Sequence, residues 1–278
     1  MKKILATIMS LALALTCFAF AGCNKAENVK VFKDIKLTEE TYAFAIKKES
    51  TLLAEVNELL AEKEADGSLA TLINSYFDGS ATFTYENPAS DEGCFVVATN
   101  AFFPPFEYYE GNKFKGVDIE IASLIAQKLG KTLYIKDMEF DSIINSVQNG
   151  ESDIGMAGMT VNDERLKQVD FSTGYYESAQ VITVKASDTD FDACETAADV
   201  EEVLKNKDKK YIVGTQNGTT GYMYSAGDEG FGYDGFKNLT TKGYTTGALA
   251  MKDLSNGKIN AVILDMQPSK MVAESINK

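Results

Sequence analysis

Gly158-Met159-Thr160-Val161-Asn162-Asp163-Glu164-Arg165, followed closely by Val169-Asp170-Phe171-Ser172 and Tyr175-Tyr176, is the stretch on which the reading of this chain turns. Its arginine stands alone: of the 27 basic residues in the sequence, Arg165 is the one that is not lysine. A chain that accepts lysine nearly everywhere a cation is wanted has kept a guanidinium here. The guanidinium offers a planar fork of donors that matches the two oxygens of a carboxylate, whereas an ammonium acts as a point charge. A ligand carboxylate is therefore the candidate partner of Arg165. An ordinary surface ion pair is the alternative that residue type alone leaves open.

The same string resembles the signature of the family 3 solute-binding proteins, the polar amino-acid receptors of ABC importers. The resemblance implies that Thr160 offers hydroxyl and amide donors to a ligand α-carboxylate. It also implies that Arg165 binds that carboxylate through two bonds and that Gly158 supplies a backbone contact. The fold it implies is α/β: a two-lobed, periplasmic-binding-protein-like architecture of type II, with two hinge strands joining the lobes.

The rest of the chain fits alternating strands and helices. Cys94 to Thr99 is apolar and β-branched and reads as a buried strand, broken by Asn100-Ala101-Phe102-Phe103-Pro104-Pro105-Phe106. Asp118 reads as the cap of a helix with the apolar stripe Ile119, Ala122, Ile125, Ala126 and Leu129, ended by Gly130. Thr132 to Lys136 reads as a strand, Asp141 as a second cap, and Asp153 to Ala157 as a short strand. Val147-Gln148-Asn149-Gly150 before Asp153-Ile154 recurs loosely as Leu254-Ser255-Asn256-Gly257 before Asn260-Ala261, which two similar lobes would explain.

Further on, Ile212 to Thr215 reads as a strand and Gln216-Asn217-Gly218-Thr219-Thr220-Gly221 as a glycine-rich turn opening a helix, whose free N–H groups suit an anion. The G-x-x-x-x-G-K phosphate-loop pattern is absent. In the family this segment contacts the α-carboxylate from the second lobe, a role that falls to Thr220. Ala261 to Asp265 reads as a strand with an acid at its end, where open α/β sheets place ligand groups. By resemblance Asp265 holds the ligand ammonium; a helix cap is the other reading. Phe102, Phe103, Phe106 and Phe140 would ordinarily be core, but the resemblance singles out Phe103 and Phe140 as stacking on the ligand side chain. Asn100 matches a spot that tends to be acidic in receptors for basic amino acids, which favours a neutral or polar ligand.

The order of segments departs from the family. Members normally finish with a strand and two helices that return to the first lobe, and this chain stops at Lys278 without them. Leu37 to Lys48 resembles the returning hinge strand, and Leu52, Leu53, Val56, Leu59 and Leu60 form a helical apolar stripe. Asp66 through Phe77 matches the closing helix. The sequence thus resembles a circular permutation joined through a linker from Asp78 to Gly93, with hinge strands near Gln180 to Thr183 and near Tyr42 to Ile46. The expected organisation is a first lobe over 44–179, made of permuted helices 44–77, linker 78–93 and core 94–179. The second lobe takes 180–278 with 30–43. A gene fusion and a swapped dimer are the alternatives; permutation predicts a folded monomer.

At the front, Lys2, Lys3, an apolar run from Ile4 to Ala21, then Gly22 and Cys23 read as a secretion signal over residues 1–22. Phe20-Ala21-Gly22-Cys23 resembles a lipobox, which implies lipid on Cys23, a tether over 23–29 and a membrane-anchored extracytoplasmic protein; a retained transmembrane anchor is the alternative. The formal charge is −14, and −16 without the signal's two lysines, which makes nucleic acid a poor partner. There is no histidine, so histidine triads and the usual histidine metal sites are excluded, and no cofactor is expected. Cys94 and Cys194 read as two unpaired thiols. The expected partners are a free amino acid and an ABC permease. The rivals are a dehydratase of cyclohexadienyl acids on the same fold, for which Glu107 is the nearby acid, and a solute-sensing lipoprotein.

Overall fold

A computed structural model describes residues 27–278; the signal, Cys23 and most of the tether lie outside the described residues. Each of two lobes is built on a five-stranded mixed sheet, and the two sheets share one layout. In the first lobe, Leu133–Asp137, Phe95–Thr99 and Ile154–Gly155 run parallel, followed by Ala45–Ile46 and Asp170–Phe171 as antiparallel additions. In the second, Thr240–Tyr244, Ile212–Gln216 and Ala261–Asp265 run parallel, followed by Gln180–Lys185 and Val29–Val31. The strand Ala261–Asp265 is buried at all five positions, the pattern of a parallel strand covered by helices on both faces. The two helix ends singled out by their similar spelling both finish in a left-handed glycine, Gly150 at φ 73° and Gly257 at φ 71°, ahead of equivalent strands. This is the type II two-lobed fold.

Between the lobes, Glu40–Tyr42 pairs antiparallel with Tyr176–Ser178 as a separate two-stranded sheet. The hinge therefore sits a few residues from where the sequence places it. Gln180 to Thr183 belongs to the second lobe's sheet, and Ala45–Ile46 is already a strand of the first. The residues before 94 are woven through both lobes. Val29–Val31 edges the second sheet, Ala45–Ile46 lies inside the first, and helices Leu52–Ala65 and Ser68–Phe77 pack on helix Val117–Lys128. Tyr42, Phe44, Ile46, Val56 and Leu60 are in the main core, each worth about 1.5–3 kcal/mol of burial.

Two cap assignments are corrected. Asp118 is the second residue of its helix, which starts after Gly116 at φ 134°. A Cβ at Gly116 would meet the Phe106 carbonyl oxygen at 2.1 Å, so glycine is required there. Asp141 lies inside a short 3-10 turn, Phe140–Ser142, and caps nothing. Cys94 and Cys194 are unpaired.

Candidate ligand-binding cleft

The cleft opens where parallel strands end at their C-termini, as open α/β sheets dictate. Asn100 follows Phe95–Thr99, Gln216 ends Ile212–Gln216, and Asp265 ends Ala261–Asp265. With Phe103, Glu107, Phe140, Gly158, Thr160, Arg165 and Thr220 they line a narrow space between the lobes. All eight residues expected at the site on sequence grounds meet here.

Arg165 is buried on a four-residue helix, Asp163–Leu166, whose start is fixed by Asn162: its side-chain oxygen accepts from the Arg165 N–H at 2.9 Å. The guanidinium donates to the Thr160 carbonyl at 2.6 Å and, across the cleft, to the Gly218 carbonyl at 3.0 Å. Both partners are neutral. Burial pulls its pKa down to about 10, opposed by the charges of Glu40 and Asp265, so it stays cationic at neutral pH. The Phe140 ring lies 5.4 Å from the guanidinium carbon and Phe231 lies 5.9 Å away. Phe140 thus holds the fork as well as lining the cleft.

Other groups differ from their expected parts. The Thr160 hydroxyl donates to Glu40 rather than standing free. The Gly158 N–H donates to Asp118 at 3.0 Å, so the amide is already engaged; a Cβ there would come 2.8 Å from the Phe103 ring. Thr220 begins helix Thr220–Ala226, and its buried hydroxyl has no partner. Asp265 sits at the N-cap of helix Met266–Ile276 but makes no cap bond. Its carboxylate accepts from the Tyr42 hydroxyl, and burial, then the charge of Glu40, pushes its pKa up to about 7. Asn100 donates to the Met138 carbonyl at 2.7 Å and accepts from Gln216 at 3.0 Å, a second bond between the lobes.

Sequence reasoning missed Glu40, Tyr42 and Gln216. Alternation along Glu40–Tyr42 puts residues 40 and 42 on one buried face, and Gln216 ends a strand beside the turn; both signals were available. Glu107, read only as the acid of a rival enzyme, is fully buried on the cleft wall, where burial and then the charge of neighbouring Asp118 push its carboxyl well above the ordinary range.

The geometry defines a two-lobed binding protein with a buried guanidinium and a buried carboxylate facing one closed cleft. The family of bacterial extracellular solute-binding proteins, family 3, matches residues 95–274, and the chain belongs to it. Among relatives, the arginine-binding extracellular protein ArtP of Bacillus subtilis (strain 168) is 40% identical over 90 residues, 32% of this chain and 35% of its own. The ABC transporter arginine-binding protein 1 of Escherichia coli (strain K12) is 32% identical over 186 residues, 66% of this chain and 68% of its own. The chain thus spans about a third to two thirds of these relatives' lengths. The crystal structure of an ancestral amino-acid-binding protein, described as a precursor of cyclohexadienyl dehydratase, aligns with a TM-score of 0.57 at 28% identity, over 66% of this chain and 75% of that one.

Proposed function

We infer that the cleft captures a free α-amino acid and that the protein, anchored by lipid on Cys23 outside the cytoplasm, hands it to an ABC permease. The observation that carries the reading is Arg165: a buried cation whose two hydrogen bonds go to neutral carbonyls. A buried charge needs a counter-charge, and a ligand α-carboxylate supplies one that fits the fork. Thr220, with its unpartnered hydroxyl, approaches the same carboxylate from the second lobe. Asp265 receives the ammonium, and Phe103 and Phe140 flank the side chain. Asn100, taken alone, favours a neutral or polar side chain, since an amide stands on the wall it lines. The names of the relatives support an amino acid as the ligand.

Because Arg165 and Thr160 lie on one lobe and Thr220 and Asp265 on the other, the ligand bridges them and favours closure. The dehydratase reading retains Glu107 as its acid, and turnover of prephenate or arogenate would revive it. The permuted order is part of the proposal. The family match begins only at residue 95, yet the residues before 94 supply one strand to each sheet. Sequential alignment also leaves about a quarter of the ancestral structure uncovered.

Calorimetry on Arg165→Lys tests the site. A charge-assisted bond is worth about 1.5–3 kcal/mol, so affinity should fall by at least about tenfold with the melting temperature of the unliganded protein little changed. Near-normal affinity would remove Arg165 from the site.

A further inference from the structure

The loop between helix Thr220–Ala226 and strand Thr240–Tyr244 carries a phenylalanine that its own lobe does not absorb. Tyr224 and Phe236 belong to the second lobe's core and Tyr233 packs against it, whereas Phe231 does not. Phe231 stands at the tip between Gly230 and Gly232, and its half-buried ring lies 5.9 Å from the guanidinium carbon of Arg165, a residue of the other lobe.

The loop is built to hold that ring out. Asp228 and Tyr233 exchange backbone hydrogen bonds at 2.8 and 2.9 Å, and the Asp228 carboxylate accepts from the N–H groups of Gly230 and Phe231 at 2.9 and 3.2 Å. Its base is pinned where the Phe236 N–H donates to the Ser225 carbonyl at 2.9 Å. Against the first lobe the backbone comes in close: a Cβ at Gly230 would meet the Glu164 side chain at 2.9 Å. Glu164 adjoins Arg165, so this approach delivers the next residue of the loop, Phe231, onto the guanidinium.

A cation within about 6 Å of a ring centroid is attracted by the ring's negative face. Phe140 makes such a contact from the first lobe and Phe231 from the second. Two second-lobe groups thus reach Arg165, the Gly218 carbonyl and the Phe231 ring. They differ in what an arriving carboxylate does to them. A carboxylate on the fork competes with the Gly218 carbonyl for N–H donors, whereas a ring face occupies none of them. The Phe231 contact is therefore compatible with a bound ligand and breaks only when the lobes part.

We propose that Phe231 is a positioning residue for the ligand site: reaching across from the second lobe, it steadies the Arg165 fork for a carboxylate and slows reopening of the loaded cleft. The role rests on the reading of Arg165 as the carboxylate receptor.

The test is stopped-flow dissociation kinetics, with the tightest binder from a thermal-shift panel of the twenty common amino acids as the probe. Phenylalanine carrying one, two or three ring fluorines is placed at residue 231 alone; fluorine drains the negative ring face and leaves its shape nearly intact. The dissociation rate should rise stepwise with fluorine number. Phe231→Leu, which has no ring face, should release the ligand about three- to thirtyfold faster with the association rate little changed. A ring that only fills space would not respond to fluorination, and the fluorinated series decides the matter even if Phe231→Leu misfolds. Release rates indifferent to fluorination, or wild-type release from Phe231→Leu, overturn the role and leave the amino-acid reading standing; a wild-type protein that binds nothing in the panel overturns both.

Discussion

Arg165 shows how far composition can carry an assignment. One guanidinium among lysines marked a place where fork geometry matters, and that residue lines the cleft. The partners of individual side chains were less legible. Thr160, Gly158 and Asn100 all line the cleft, yet each has a donor or acceptor engaged by a residue distant in sequence: Glu40, Asp118 and Gln216. Which hydrogen bond a side chain makes is settled by long-range packing, which no local pattern encodes. Gly158 offers a prediction at this scale. Its φ of 52° disfavours any side chain, and an added methyl would press on the Phe103 ring at 2.8 Å. Gly158→Ala should therefore lower affinity by about tenfold or more through displacement of Phe103, in the same calorimetric assay; unchanged affinity would mean that the ring can yield without consequence.

Elements were read well where burial is continuous and poorly where it is not. Ala261 to Asp265 emerged with the bounds expected, and Phe95–Thr99 and Ile212–Gln216 within a residue, because apolar β-branched runs leave little choice. The hinge strands were displaced because a two-stranded connection between lobes has no core pattern of its own. Asp118 and Asp141 looked like caps and were not, since an acid in a first turn and an acid at a cap share one local spelling. The segment order makes a prediction about elements. Asn277 bonds both the N–H and the carbonyl of Val29, at 2.9 and 2.8 Å, so the two ends of the described chain touch. A chain running from Asp78 to Lys278 and on through a short linker into Glu27 to Phe77 should fold to a monomer with unchanged ligand affinity. Aggregation of that chain, or a dimer in the natural order by size-exclusion chromatography, would favour a swapped or fused arrangement over permutation.

For the molecule as a whole, three carboxyls buried near the cleft, those of Glu107, Asp118 and Asp265, are pushed upward first by burial. A carboxyl whose folded pKa lies above its unfolded value binds more protons when folded, so its contribution is present at low pH and lost as pH rises through the folded pKa. For Asp118 and Asp265 that window runs from the ordinary range near 3.8 to about 6 and about 7. The unliganded protein should thus melt at a higher temperature near about pH 5 than near about pH 7.5; a profile rising across that interval would mean that other groups dominate. Ligand should narrow the difference, because its ammonium supplies Asp265 at neutral pH with the counter-charge that protonation makes unnecessary in acid.

The most direct measurement on the central claim is a thermal-shift screen of residues 24–278 against the twenty amino acids, with size-exclusion chromatography on the same sample. A ligand that binds only the folded state raises the melting temperature, by about 2.7 kcal/mol of added stability at a hundred times its dissociation constant. The account predicts that one or a few amino acids stabilise a monomer. A flat response to all twenty would contradict it and take the amino-acid ligand out of the cleft.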